Sequence, residues 1–322
     1  MSAHSEDQPT AEIEAAEHTS HGGKKAIVAA LVANAGIAIA KFVGYLITGS
    51  SSMLAEAVHS VADTSNQGLL LFGQKRSERP ADKLHQFGYG RNRYFYSFVV
   101  ALVLFTMGSM FAIYEGIHKI QHPEDLSSAW VAIAILVVAI GLETFSFLTA
   151  RKESLPLKGD NSWWHFIRNS RSPELPVVLL EDLGALVGLV LALAGVSLTM
   201  ITGDGVWDGI GTLCIGALLG VIAVLLIIEM QSLLIGEGAT DKDQALIDDA
   251  LASGRVERVI HLRTQYMSPD ELLVAAKIAF PTGITLREVA AEIDAAEARV
   301  RAVVPAAKLI YLEPDLDRDT VH

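Results

Sequence analysis

The chain has 322 residues, 51% hydrophobic and only 19% charged, with a mean hydropathy of +0.37; this excludes an ordinary soluble domain and points to a membrane protein carrying soluble parts. Thirty-seven acids against 25 bases leave a net charge of −12, which offers no basic stripe to neutralise phosphates and excludes a nucleic-acid partner. The single cysteine, Cys214, excludes an intrachain disulfide and a cysteine zinc cluster.

Residues 1–24 read as a flexible, acidic and polar tail in which His4, His18 and His21 could collect metal loosely, although incidental histidines are the better reading. The tail has the apolar core of no signal peptide and the arginine content of no mitochondrial transit peptide. Six runs of about 20 apolar residues follow, each long enough to cross a bilayer. They cover Ala26–Thr48, Ser52–Gln74, Phe95–Ile117, Ala129–Ala150, Leu175–Ile201 and Val206–Leu234. Composition changes at GEGATDKDQ, so that residues 25–235 read as an all-α membrane domain of six transmembrane helices, 236–316 as a small cytoplasmic α+β domain, and 317–322 as a tail.

Within the small domain, Asp241 to Ala252 is helix-like, and Val256 to Met267 and Glu271 to Phe280 are strand-like around a Ser268-Pro269-Asp270 turn. Thr285 and Glu288 form a capping box before an amphipathic helix ending near Val304. A strand over Lys308 to Leu312 completes an α-β-β-α-β, ferredoxin-like or metallochaperone-like order. About 80 residues make a modest core that dimerisation would help.

Lysines and arginines fix the expected orientation. One side carries Lys24 and Lys25, then Lys75, Arg76, Arg79, Lys83, Arg91 and Arg93, then Arg151, Lys152, Lys158, Arg168 and Arg171; the other connections carry only Lys119. The positive-inside rule puts both termini in the cytoplasm.

The second span carries polar residues inside a run that otherwise reads as a membrane helix. Its Glu56, His59, Asp63, Asn66 and Gln67 fall within an arc of about 100° on one helix. Ionisable groups at membrane depth cost about 2.5–3.5 kcal/mol each, so they need a function or partners. His59 and Asp63, spaced i, i+4, can share one cation, or can serve a packing hydrogen bond between spans. A second acidic position is LLEDLGALVG in the fifth span, where Glu181 and Asp182 point about 100° apart. Gly184 and Gly188 allow another span to approach closely and could bring the fifth helix against the second. Together these helices offer one imidazole and up to three carboxylates, a set suited to a four-coordinate divalent transition metal.

Other polar groups divide between two readings. Glu143, in the fourth span, is either a proton relay or secondary metal contact, or a packing group. Asn34 and Lys41 of the first span are better placed to pair structurally with the Glu56 stripe. Glu115 and Asp208 lie near span ends and are expected to snorkel to water. His261 stands alone on a strand, which makes the tail domain read as a dimerisation module.

HSVAD in the second span, HQFGYGRNRYFY in the following loop, VWDGIGTLCIG opening the sixth, six spans and an α-β-β-α-β tail together resemble the cation diffusion facilitator family. The resemblance covers nearly the whole chain after residue 24. It implies a homodimeric exporter in the lipid bilayer that exchanges zinc or a related divalent metal ion (Mn2+, Co2+ or Fe2+) for protons by alternating access, with no prosthetic group and no enzymatic activity. It also implies that His59, Asp63 and Asp182 are metal ligands, and His85 matches the family's loop histidine. Many members carry a histidine four residues before the fifth-span aspartate, where this chain has Val178. Glu181 could replace it, could pair with a cation such as Lys41, or water could complete the shell. The LLED form is similar to a branch that includes the mitochondrial zinc transporter of animals and many bacterial proteins.

Neutral His59 and ionised carboxylates are needed to hold a metal, so protons compete for the same site. No GxxxxGK[ST] is present, so ATP is not the expected energy source. Two other classes stand beside the exporter: an intramembrane metalloenzyme, disfavoured by the lack of HExxH, and a metal sensor whose spans only anchor the tail. The expected location is a bacterial inner (plasma) membrane.

Overall fold

The computed structural model describes residues 35–123, 126 and 128–316. The N-terminal tail with its three histidines, residues 26–34 of the first span including Asn34, and the 317–322 tail lie outside the described residues. The helices are α1 (Ala35–Thr48), α2 (Ser51–Ser77), α3 (Asn92–Val103), α4 (Phe111–Gln121), α5 (Ala129–Lys158), α6 (Trp163–Asn169), α7 (Glu174–Thr202) and α8 (Val206–Ile235). A π turn, Leu104–Met110, joins α3 to α4.

Four stretches among the described residues are long and apolar enough to cross a membrane: Asn92–Gln121, Ala129–Pro156, Glu174–Thr202 and Val206–Ile235. The described part of the first span, α1, is a shorter apolar helix. The polar stripe accounts for the absence of α2 from the four, although it runs for 27 residues. Helix α5 continues to Lys158, past the expected stop at Ala150, because its hydrogen-bond ladder does not end where the apolar run gives way to Arg151, Lys152 and Glu153. The short helix α6 has no apolar run to announce it; Ser162 caps it by accepting from the His165 backbone N–H.

The described chain forms two compact units. The first comprises Met1–Gly68 as far as it is described, Val103–Leu148 and Glu181–Ile222. Here α1 ends on Gly49, whose φ of +69° suits a residue without Cβ, and α2 starts two residues later. Two buried charges grip this turn. Lys119 donates to the Gly49 carbonyl at 3.3 Å. The Asp208 carboxylate accepts from Ser50 Oγ at 2.8 Å and from the backbone N–H groups of Ser51 and Ser52 at 2.7 and 3.3 Å. A cation thus meets the carbonyl end of α1 and an anion the amide end of α2, the signs each helix terminus favours. Asp208 is fully buried, which corrects the expectation that it snorkels to water.

Glycines bring α8 into backbone contact with its neighbours. A methyl on Gly116 would stand 2.7 Å from the Leu213 N, and one on Gly216 would stand 2.7 Å from the Ile113 N. Neither position admits a side chain.

The second unit comprises Leu69–Leu102, Thr149–Leu180 and Ala223–His322, the last as far as it is described. It holds α9 (Asp241–Leu251), β1 (Arg258–Ser268), β2 (Glu271–Phe280), α10 (Leu286–Val303) and β3 (Leu309–Leu316). The α-β-β-α-β order is the expected one. Strand β2 is central, antiparallel to β1 and parallel to β3. Its Leu272, Val274, Ala276 and Ile278 alternate into a core with Ile247, Leu251, Val300 and Ile310. The expected capping box is present at Thr285 and Glu288. Arg93 forks between Glu174 Oε1 at 2.6 Å and Asp270 Oδ2 at 2.7 Å, and Arg171 pairs with Glu237.

Candidate metal centre

All the candidate groups lie in the first unit. On α2, Glu56, His59, Asp63 and Asn66 are buried, while Gln67, at the edge of the arc, is half-buried. Helix α1 meets the stripe with a cation: Lys41 Nζ donates to Glu56 Oε2 at 3.1 Å and to Ser60 Oγ at 2.8 Å. Lys41 therefore pairs with Glu56, not with Glu181. Gly188 of α7 faces the same carboxylate, since a methyl there would stand 2.7 Å from Glu56 Oε1. Gly184 instead packs against Leu219 and Ile222 of α8.

His59 Nδ1 and Asp63 Oδ1 lie 3.5 Å apart, and both nitrogens of His59 and Oδ1 of Asp63 are buried without a hydrogen-bond partner. Such atoms cost about 1–3 kcal/mol each when left unsatisfied. Glu181 approaches from α7: its Oε1 accepts from Asn66 Nδ2 at 2.9 Å, and its carboxyl group is within hydrogen-bonding reach of Asp63. Asp182 turns the other way, accepting from Ser146 of α5 at 3.0 Å. The adjacent acids thus serve different helices, as a 100° step requires. Glu143, half-buried on α5, is close enough to act electrostatically on Glu56, Asp63, Glu181 and Asp182.

Among the described residues, no three His, Cys, Asp or Glu side chains stand together as a ready cluster for one ion. His59, Asp63 and Glu181 are the groups drawn to a common region, with Asp182 one step round the helix. Two participants escaped the sequence reading. Ser146 carries no charge to mark it. Gly108 sits in the π turn, where a methyl would be 3.8 Å from His59 Nδ1, and π turns cannot be read from apolar periodicity.

Outside the membrane spans, His85 packs on Tyr89 with ring centroids 4.4 Å apart, next to one carboxylate, Asp82. The Tyr89 hydroxyl holds the Asp82 carboxyl down to about 2 by donating to it. His261 of β1 lies opposite Lys277 in the sheet, a cationic neighbour that does not favour a metal.

Long apolar helices with buried ionisable groups define an integral membrane protein. Residues 27–235 match the family described as the cation efflux transmembrane domain, and the chain belongs to that family, which is one of transporters and not of enzymes. It is 34% identical over 243 residues to the mouse (Mus musculus) "Proton-coupled zinc antiporter SLC30A9, mitochondrial", covering 74% of this chain and 43% of that protein. It is 29% identical over 261 residues to "Metal tolerance protein C4" of Arabidopsis thaliana, covering 80% and 57%. It is 22% identical over 273 residues to "Magnetosome protein MamB" of Paramagnetospirillum magneticum, covering 83% and 85%. The chain spans less than half the length of the zinc antiporters it matches.

Proposed function

We propose that this chain exports a divalent transition-metal ion, zinc first among the candidates, in exchange for protons by alternating access. The observation that carries this reading is the set of buried, partnerless atoms on His59 and Asp63 opposite Glu181. An imidazole and carboxylates at membrane depth suit a borderline-soft divalent ion. In this reading His59, Asp63 and Glu181 hold the ion. Asp182 joins as fourth ligand when its Ser146 hydrogen bond gives way. The similarity to proton-coupled zinc antiporters supports both cargo and counter-ion.

His59 binds metal through a neutral nitrogen and the acids bind it ionised, so each proton taken up weakens the hold on the cargo. Protonation at one membrane face and deprotonation at the other then drive the exchange. Six spans organised as residues 25–235, a dimerising domain at 236–316, cytoplasmic termini and a bacterial inner membrane complete the proposal.

The test is flux into proteoliposomes under an imposed pH step. The full chain should move zinc against the step, and His59→Ala or Asp63→Ala should reduce movement to the protein-free background. Glu181→Gln and Asp182→Asn should each lower it. Undiminished flux in both the His59 and Asp63 variants would overturn the site. Zinc binding without flux would favour the sensor.

A further inference from the structure

The end of the third span away from Arg91 and Arg93 carries two histidines that the intramembrane site does not use. His118 and His122 occupy successive turns of α4, spaced i, i+4 on one face. Both are exposed. Their ring centroids are 5.0 Å apart, with the planes tilted by 31°. Two imidazoles bound to one tetrahedral zinc ion at about 2.0–2.1 Å must place their centroids about 5 Å apart, a requirement the observed spacing meets.

The local structure holds this arrangement. His122 closes the helix, its backbone N–H donating to the His118 carbonyl at 2.9 Å, so the two residues stay one turn apart. Tyr114, one turn earlier, lies beside His118 with ring centroids 6.3 Å apart and an interplanar angle of 24°. Among the described residues no side chain hydrogen-bonds to either imidazole. A single cation would suffice to complement the carbonyl end of α4, and the buried Lys119 lies between them in sequence, so helix-end charge does not account for a matched pair.

The span Asn92–Gln121 has 30 residues. That is about 45 Å of helix against about 30 Å of hydrocarbon, so an untilted helix extends past the apolar layer at one end or both. We propose that His118 and His122 form a second, peripheral binding site for a divalent transition-metal ion, chelated by the two imidazoles with water filling the remaining positions. Imidazole donors select zinc, copper, nickel or cobalt over magnesium and calcium, which require oxygen ligands. On the orientation proposed above, this site lies at the face where cargo leaves. Its ligands are distinct from those of the intramembrane site, so either site can fail without the other.

Histidine footprinting tests the proposal. The full chain in lipid nanodiscs is treated with diethyl pyrocarbonate, and labelling of each histidine is followed by mass spectrometry, with zinc ion alone as the probe and magnesium as control. Zinc should slow labelling of both His118 and His122 several-fold, and magnesium should not. In His122→Ala the protection of His118 should vanish, and the reverse should hold in His118→Ala; both side chains are exposed, so folding is not at issue. In His59→Ala the protection should persist, which separates this site from the intramembrane one. Equal labelling with and without zinc, or protection of one histidine that survives loss of the other, would overturn the chelate.

Discussion

Lys41 and Glu56 form an ion pair at 3.1 Å in which neither side chain is exposed. Removing one partner strands a charge in a low-dielectric site, so Lys41→Met or Glu56→Leu alone should cost about 3–5 kcal/mol. Replacing both, as Lys41→Met with Glu56→Leu, should cost less than either single change. Thermal unfolding of the four chains in detergent gives the coupling, and additive losses would show that the pair does not act as a unit.

Gly188 lies against that same carboxylate. A methyl there would meet Glu56 Oε1 at 2.7 Å, and Lys41 prevents the carboxylate from swinging away, so Gly188→Ala should destabilise by about 1–3 kcal/mol. Gly68 on α2 has nothing within 4 Å of the same position. Gly68→Ala should therefore be neutral, or stabilising by up to about 1 kcal/mol from helix propensity. Paired melting curves decide whether proximity or composition sets the response.

The turn between α1 and α2 gives a third outcome. Asp208→Ala removes the acceptor of two backbone N–H groups and the Ser50 hydroxyl in a fully buried setting, at a cost of about 1–3 kcal/mol. Asp208→Asn should recover less than half of that, since its amide nitrogen would be turned toward donors. Tryptophan fluorescence, read during thermal unfolding, reports both variants.

Acid should loosen the start of α10. The Thr285 backbone N–H, then Arg255, hold the Glu288 carboxyl down to about 2. A folded value below the unfolded one contributes stability above the ordinary glutamate range, and that contribution is lost as pH falls through it toward about 2. Amide exchange at Glu288 and Val289, corrected for intrinsic rate, should speed up as pH is lowered over that window. In Glu288→Gln the acceleration should be absent.

Much of this architecture can be read in the residues. Apolar runs locate α7 and α8 to within a residue, because burial in lipid leaves one pattern for a helix. Strand β2 is marked by its ends at Glu271 and Phe280, and α10 by a capping box whose two partners are three residues apart. The pairing of Lys41 with the Glu56 stripe is also legible, since a lone base in an apolar helix needs an acid. Legibility ends where a rotation or a long-range partner decides. The sequence puts Glu181 beside Asp182 but not which of them faces Asn66, and α7's packing makes that choice. The Asp208 partners lie more than 150 positions away, so the residue looks like an ordinary span-end acid.

The π turn over Leu104–Met110 holds more chain per revolution than the helices flanking it, and this lets Gly108 and Ser109 both face inward. Such a turn is a reserve of slack. If it tightened to α geometry, the register would slip by one position, and the neighbour presented to the His59 ring would change from bare backbone to the thioether of Met107 or the hydroxyl of Ser109. Such a slip would change what the third span presents to His59 without unwinding the span at either end.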